Sequence, residues 1–125
     1  MVKTIITSVV VALLLLVGSI LECFFIKDTF NEVKVEADSV YQKIIEEDAT
    51  EQDVYNLQDV WLNKKRFLHA FIPHNEIKEI DLWVAETVKL VKDEKWTDAL
   101  SKLEVVKELL EQIPRTFNVL FENIL

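Results

Sequence analysis

Residues 4–26 read TIITSVVVALLLLVGSILECFFI, and this stretch sets the class of the whole chain. Thr4 to Leu21 supplies 18 consecutive uncharged residues. As a helix rising about 1.5 Å per residue, that run covers roughly 27 Å. Continuing through Glu22 to Cys23-Phe24-Phe25-Ile26 brings it to about the 30 Å of a bilayer's hydrocarbon core. A helix apolar on every side has no polar face to turn to water, and the rest of the chain is too amphipathic to enclose it. The expectation is a membrane anchor over residues 1–27, in contact with the lipid bilayer from Thr4 to Ile26.

Other fates of such a segment fit less well. Val17-Gly18-Ser19 offers small residues for signal-peptide cleavage, but the apolar run continues beyond them, longer than an ordinary signal core. Cleavage therefore stays as the minority reading. A lipoprotein needs a small residue before its cysteine, and Glu22 precedes Cys23. A prepilin carries its glutamate near the start of the apolar helix, whereas Glu22 lies at the far end. Lys3 and the amino terminus flank one side; Glu22, Lys27, Asp28 and Glu32 open the other. The positive-inside bias then places the N-terminus in the cytoplasm and residues 28–125 outside it.

Composition narrows the remainder. The chain has 125 residues, 29% of them charged, a net charge of −8, one Gly, two Pro and one Cys. One modest domain fits that length. So little Gly and Pro argues against a turn-rich all-β fold or a Gly-rich phosphate loop. One cysteine gives no internal disulfide framework and no Cys-cluster metal site. An acidic chain without a basic stripe is not expected to bind nucleic acid, whose phosphates would repel it.

Residues 28–125 hold 21 acidic and 12 basic side chains, no Gly, and apolar residues at helical spacing. Phe30, Val33, Ala37, Val40, Tyr41 and Ile44 define a first helix. Nothing between Ile26 and Phe30 breaks it, so the membrane helix is expected to continue outward as a stalk, with self-association through that stalk left open. Glu46-Glu47-Asp48 oppose the negative end of the helix dipole and predict fraying. Thr50 and Asp53 form a capping box for a second helix carrying Val54, Leu57, Trp61, Leu68 and Ile72, closed by Pro73. Asn75 is the expected N-cap of a third helix with Ile77, Ile80, Val84, Val88 and Val91 on its inner face. After Lys92-Asp93-Glu94-Lys95, a fourth helix carries Trp96, Ala99, Leu100, Leu103, Val106, Leu110 and Ile113. Pro114 is expected to stop or kink it. Phe117, Leu120, Phe121 and Ile124 would then form a short C-terminal helix folded back on the bundle. The fold class is all-α: anchor, stalk, small antiparallel helical bundle and short terminal helix.

Across about Trp61 to Leu125 the chain resembles a bacterial family, domain of unknown function 4363, found in spore-forming Gram-positive bacteria. The resemblance is carried by Trp61 with Lys64-Lys65, by Phe71-Ile72-Pro73-His74-Asn75-Glu76-Ile77, and by Ile80-Asp81. Ala99-Leu100, Leu103-Glu104, Lys107, Leu110-Glu111, Ile113-Pro114 and Glu122-Asn123-Ile124-Leu125 complete it. It implies a small, single-pass helical protein with no assigned activity and a membrane-protein partner.

Few constellations invite chemistry. His69, His74, Glu76 and Glu79 cluster near the second turn, but a zinc site commonly takes two His four apart on one helix. These are five apart with Pro73 between them, so capping and surface hydrogen bonding are the expectation. Lys64 and Lys65 fall in the apolar sector set by Leu57, Trp61 and Leu68, and must snorkel or meet carboxylates. Glu79 and Asp81 lie at about the same height on the facing helix, giving an expected inter-helix ion pair. Trp83 falls off the inward face of its helix and is the leading contact residue for a partner or ligand. His69, His74, Glu76, Phe117 and Phe121 join it as candidates. No catalytic residue, metal ligand or cofactor is expected. The function expected is a non-catalytic, membrane-anchored interaction or accessory module outside the cytoplasm, bound to a membrane or envelope protein. The alternative is a helical sensor or carrier holding a small molecule near Trp83 or the histidine turn.

Overall fold

The three-and-four spacing of apolar residues becomes four buried stripes on four helices. A computed structural model describes residues 1–124, apart from the side chains of Asn118, Leu120, Phe121, Glu122 and Ile124. Its helices are α1 (Val2–Ile45), α2 (Glu51–Leu68), α3 (His74–Lys92) and α4 (Trp96–Ile124). Each packs on its sequence neighbours, and α4 closes the ring against α1. The core is built from Ile26, Phe30, Val33, Ala37, Val40 and Ile44 of α1 and Val54, Leu57, Trp61 and Leu68 of α2. Ile77, Ile80, Val84 and Val91 of α3 face Ala99, Leu103, Val106, Leu110 and Ile113 of α4. These alternating steps of three and four match the seam of a bundle whose helices cross at shallow angles. The two buried hydroxyls bond back along their own helices. Thr29 Oγ1 donates to the Phe25 carbonyl at 2.7 Å, and Thr87 Oγ1 to that of Trp83 at 2.8 Å.

α1 is one unbroken helix of 44 residues, about 66 Å long. Its N-terminal half projects beyond the bundle with Val2, Ile5, Val9, Leu13, Leu16 and Ile20 exposed. The other half does not stand free as a stalk. It forms a wall of the bundle, beginning at Ile26, which is 1% exposed, so there is no linker at residue 27. The stripe available for self-association is spent on the chain's own core.

The connections depart from the sequence expectation in instructive ways. α1 ends on a hydrogen-bonded cap at Glu46-Glu47-Asp48. Glu47 takes φ 54°, its N–H donates to the Ile44 carbonyl, and the Asp48 N–H donates to that of Lys43 at 2.8 Å. This is a Schellman cap, which satisfies carbonyls the helix end would otherwise orphan. The α3–α4 connection repeats it: Glu94 has φ 54° and Lys95 N–H reaches the Leu90 carbonyl at 2.9 Å. The Thr50–Asp53 capping box is present on α2. α2 ends at Leu68, so Phe71 and Ile72 belong to the following turn, although Ile72 remains buried. The N-cap of α3 is Pro73, whose missing N–H costs nothing there; Asn75 lies inside the first turn. Pro114 does not end α4, which passes through it to Ile124. The terminal segment is therefore the last part of α4 and not a separate helix folded back. Phe117 packs half-buried against the core, whereas Leu120, Phe121 and Ile124 lie outside the described side chains.

Candidate functional site

The Lys64-Lys65 pair projects from the last turns of α2, and its two members go to different helices. Lys65 Nζ lies 2.9 Å from Asp81 Oδ2 on α3. The other carboxylate oxygen, Asp81 Oδ1, accepts the indole N–H of Trp61 at 2.6 Å. Trp61 is 1% exposed, so Asp81 answers a donor that has no access to water and a cation that has some. Lys64 pairs with Glu32 of α1, not with Glu79 or Asp81. Glu79 instead accepts the Trp83 indole N–H at 3.2 Å.

Trp83 is not the free contact its wheel position implies. It packs half-buried on the core, and Lys102 Nζ of α4 lies 4.6 Å from the ring centroid. That ammonium also meets Glu86 at 3.5 Å, so the ring serves as a brace between α3 and α4. Tyr41 is covered in the same way on the α1–α4 side. Lys107 Nζ lies 4.0 Å from its ring and 3.2 Å from Asp38. Hydrogen bonding to Glu104 pushes the Tyr41 hydroxyl above its ordinary value.

At the bundle end from which the apolar part of α1 emerges, His69 and His74 bring their rings to 5.8 Å between centroids. Both are exposed and Glu76 is half-buried. Among the described residues, no three His, Cys, Asp or Glu side chains converge as metal ligands. Beside this turn, Phe25 meets Phe67 and Phe71 edge-on at 6.3 and 6.4 Å. An open cleft of about 440 Å³ joins these rings to Gly18, Leu21 and Glu22. On the opposite side, a groove of about 550 Å³ between α1 and α4 is flanked by Lys27, Lys34 and Arg115 with Asp28 and Glu111. Lys34 and Arg115 share Glu111, at 3.7 and 2.9 Å.

The family of domain of unknown function 4363 matches residues 21–124, the whole bundle together with the end of the apolar run. The chain belongs to that family. No curated protein and no solved structure matches it. Membership of domain of unknown function 4363 thus reaches some 40 residues further toward the N-terminus than the Trp61–Leu125 resemblance. The earlier part of the match holds the bundle half of α1 and the first turns of α2, whose buried stripes the other helices need to complete their core. What sequence reading missed was the Trp61–Asp81 bond and the phenylalanine cleft. The first lies on the α2–α3 seam already paired through Lys65 and Asp81; the second requires α1 as a wall against α2.

Proposed function

We propose that this protein is a single-pass, membrane-anchored accessory protein. Its bundle stands outside the cytoplasm and binds another membrane or envelope protein without doing chemistry. The observation that carries the anchoring is the projecting half of α1. A window of 18 residues there has mean hydropathy 2.8, and only 6% of it is buried. A surface of that kind costs free energy in water and none in hydrocarbon. Lys3 on one flank and the acidic chain on the other support the orientation. The partner reading rests on the bundle's construction. Trp83 and Tyr41 are tied into inter-helix braces, and the charged side chains described above are largely matched to one another, which leaves a rigid shape for a partner to recognise.

A Glu51→Cys variant in a Cys23→Ser background should react with a membrane-impermeant thiol reagent in intact cells. Reaction only after lysis would reverse the orientation. A protein released by alkaline carbonate would have no anchor. Co-purification of one defined membrane protein from detergent extracts is the expected result for the partner.

A second reading, a small-molecule carrier, has the α1–α4 groove in its favour. Three cations against two carboxylates would suit an anionic ligand there, and ligand-dependent protection of Lys27 or Lys34 from acylation would support it.

A further inference from the structure

We propose that the α2–α3 turn is a second membrane contact, with Phe67 and Phe71 inserted into the bilayer leaflet nearer the bundle, beside the point where α1 leaves it. The proposal rests on the anchored reading above and adds a docking surface to it. Phe67 is 60% exposed and Phe71 37% exposed. Isolated exposed apolar residues are ordinary on a protein surface, but these two continue an apolar surface already assigned to lipid. The cleft they line has Gly18, Leu21 and Phe25 as its opposite wall. Gly18 and Leu21 belong to the uncharged run from Thr4 to Leu21. A bilayer that takes in that run also takes in the mouth of the cleft. Nothing lies within 4 Å of where a Cβ would stand at Gly18, so the space there is open to an acyl chain. Glu22 at the rim lies high enough to reach the headgroups.

Charge points the same way. Residues 64–75 hold Lys64, Lys65, Arg66, His69 and His74 and no carboxylate, whereas residues 46–53 at the opposite end hold five acidic residues and no basic one. Lys64 and Lys65 are engaged by Glu32 and Asp81. Arg66 is exposed, with no ion-pair partner among the described residues, and is placed to meet lipid phosphate next to Phe67. Basic side chains beside inserted aromatics are the pattern of proteins that lie on anionic membrane surfaces. The acidic end, about 33 Å farther along α1 by helical rise, is held away from it.

The test uses the full chain with Cys23→Ser, reconstituted in vesicles of phosphatidylcholine and phosphatidylglycerol that contain nitroxide-labelled lipids with shallow or deep quenchers. An environment-sensitive fluorophore is attached in turn at Leu14→Cys, Ala70→Cys and Glu47→Cys. Ala70 is exposed between the two phenylalanines, so labelling leaves both in place. The label at 70 should be quenched most by shallow nitroxides, that at 14 by deep ones, and that at 47 by neither. Quenching at 14 with none at 70 would overturn the proposal and leave the anchor standing. No quenching at 14 would remove the anchored reading and this one with it. Adding Phe67→Gln and Phe71→Gln should lower quenching at 70 toward the value at 47 while circular dichroism holds. Undiminished quenching would show that the rings do not hold the turn in lipid.

Discussion

Asp81 accepts two donors of unequal need, and separating them gives a quantitative test of the bundle's polar seam. The Trp61 indole is 1% exposed, so Asp81→Ala strands its N–H without water or a substitute acceptor. Leaving a buried donor unsatisfied costs about 1–3 kcal/mol. The Lys65–Asp81 pair is more open, with side chains 24% and 33% exposed, and such pairs contribute about 0.2–1 kcal/mol. Asp81→Ala should therefore destabilise by about 1–4 kcal/mol in all. Asp81→Asn keeps a carbonyl oxygen for the indole and loses only the ion pair, so its cost should be about 1 kcal/mol or less. Lys65→Met should cost a similar small amount and couple to Asp81, but not to Glu79. Trp61→Phe removes the donor itself, and in that background the extra cost of Asp81→Ala should shrink to the ion-pair part. The assay is urea unfolding of the full chain in mild detergent, followed by far-ultraviolet circular dichroism. In thermal scans each kcal/mol corresponds to about 4–8 °C for a domain near 100 residues. Equal losses for Asp81→Ala and Asp81→Asn, or strict additivity with Trp61→Phe, would refute the reasoning.

Other substitutions probe the helix ends. Glu47 and Glu94 occupy the left-handed region at φ 54°, which costs an L-residue about 1–2 kcal/mol; Glu47→Gly or Glu94→Gly should stabilise by about 0.5–1 kcal/mol once glycine's greater unfolded freedom is subtracted, and a lower unfolding midpoint would contradict this. Asp53 is held below the usual carboxylate range by the Lys43 ammonium and the Thr50 N–H. It binds fewer protons folded than unfolded, so its stabilisation is present above the unfolded value near about 4 and is lost as pH falls through the lower folded value. Asp53→Asn should flatten that part of the acid titration of stability, and an unchanged slope would separate the pair from the effect. Pro114 cannot donate to the Leu110 carbonyl, and Pro114→Ala should raise stability by up to about 3 kcal/mol; a loss would mean that the proline's own packing outweighs the missing bond.

The parts of this structure that repeat were legible in the sequence. The stripes from Phe30 to Ile44, Ile77 to Val91 and Ala99 to Ile113 announce their helices because burial selects one face every three or four residues. The pairing of Lys65 with Asp81 was also within reach, since both flank one short turn and their heights follow from helical rise. Lys64 was different. Its partner Glu32 lies on α1, and reading that segment as a free stalk removed α1 from consideration as a wall. The same omission hid Phe25 from Phe67 and Phe71. The caps at Glu47 and Glu94 left no signal, because glutamate is not the residue a left-handed position favours. Pro114 does not act as a stop: α4 runs on through it with Phe117 still packed against the core.

The unbroken backbone of α1 has a mechanical consequence. Many anchored domains hang from a loose tether, so motion of the anchor is lost before it reaches them. Here the same hydrogen-bonded rod runs from Val2 to Ile45, and α2 and α4 are clamped to its C-terminal half with α3 held between them. Rocking the N-terminal half by about 10° would swing the far end near Ile45, about 29 Å beyond Ile26 by helical rise, through roughly 5 Å. Rotation of the rod about its axis would carry the bundle's faces around with it. A neighbour gripping either half would thus feel displacement of the other as leverage, without any change in the fold between them.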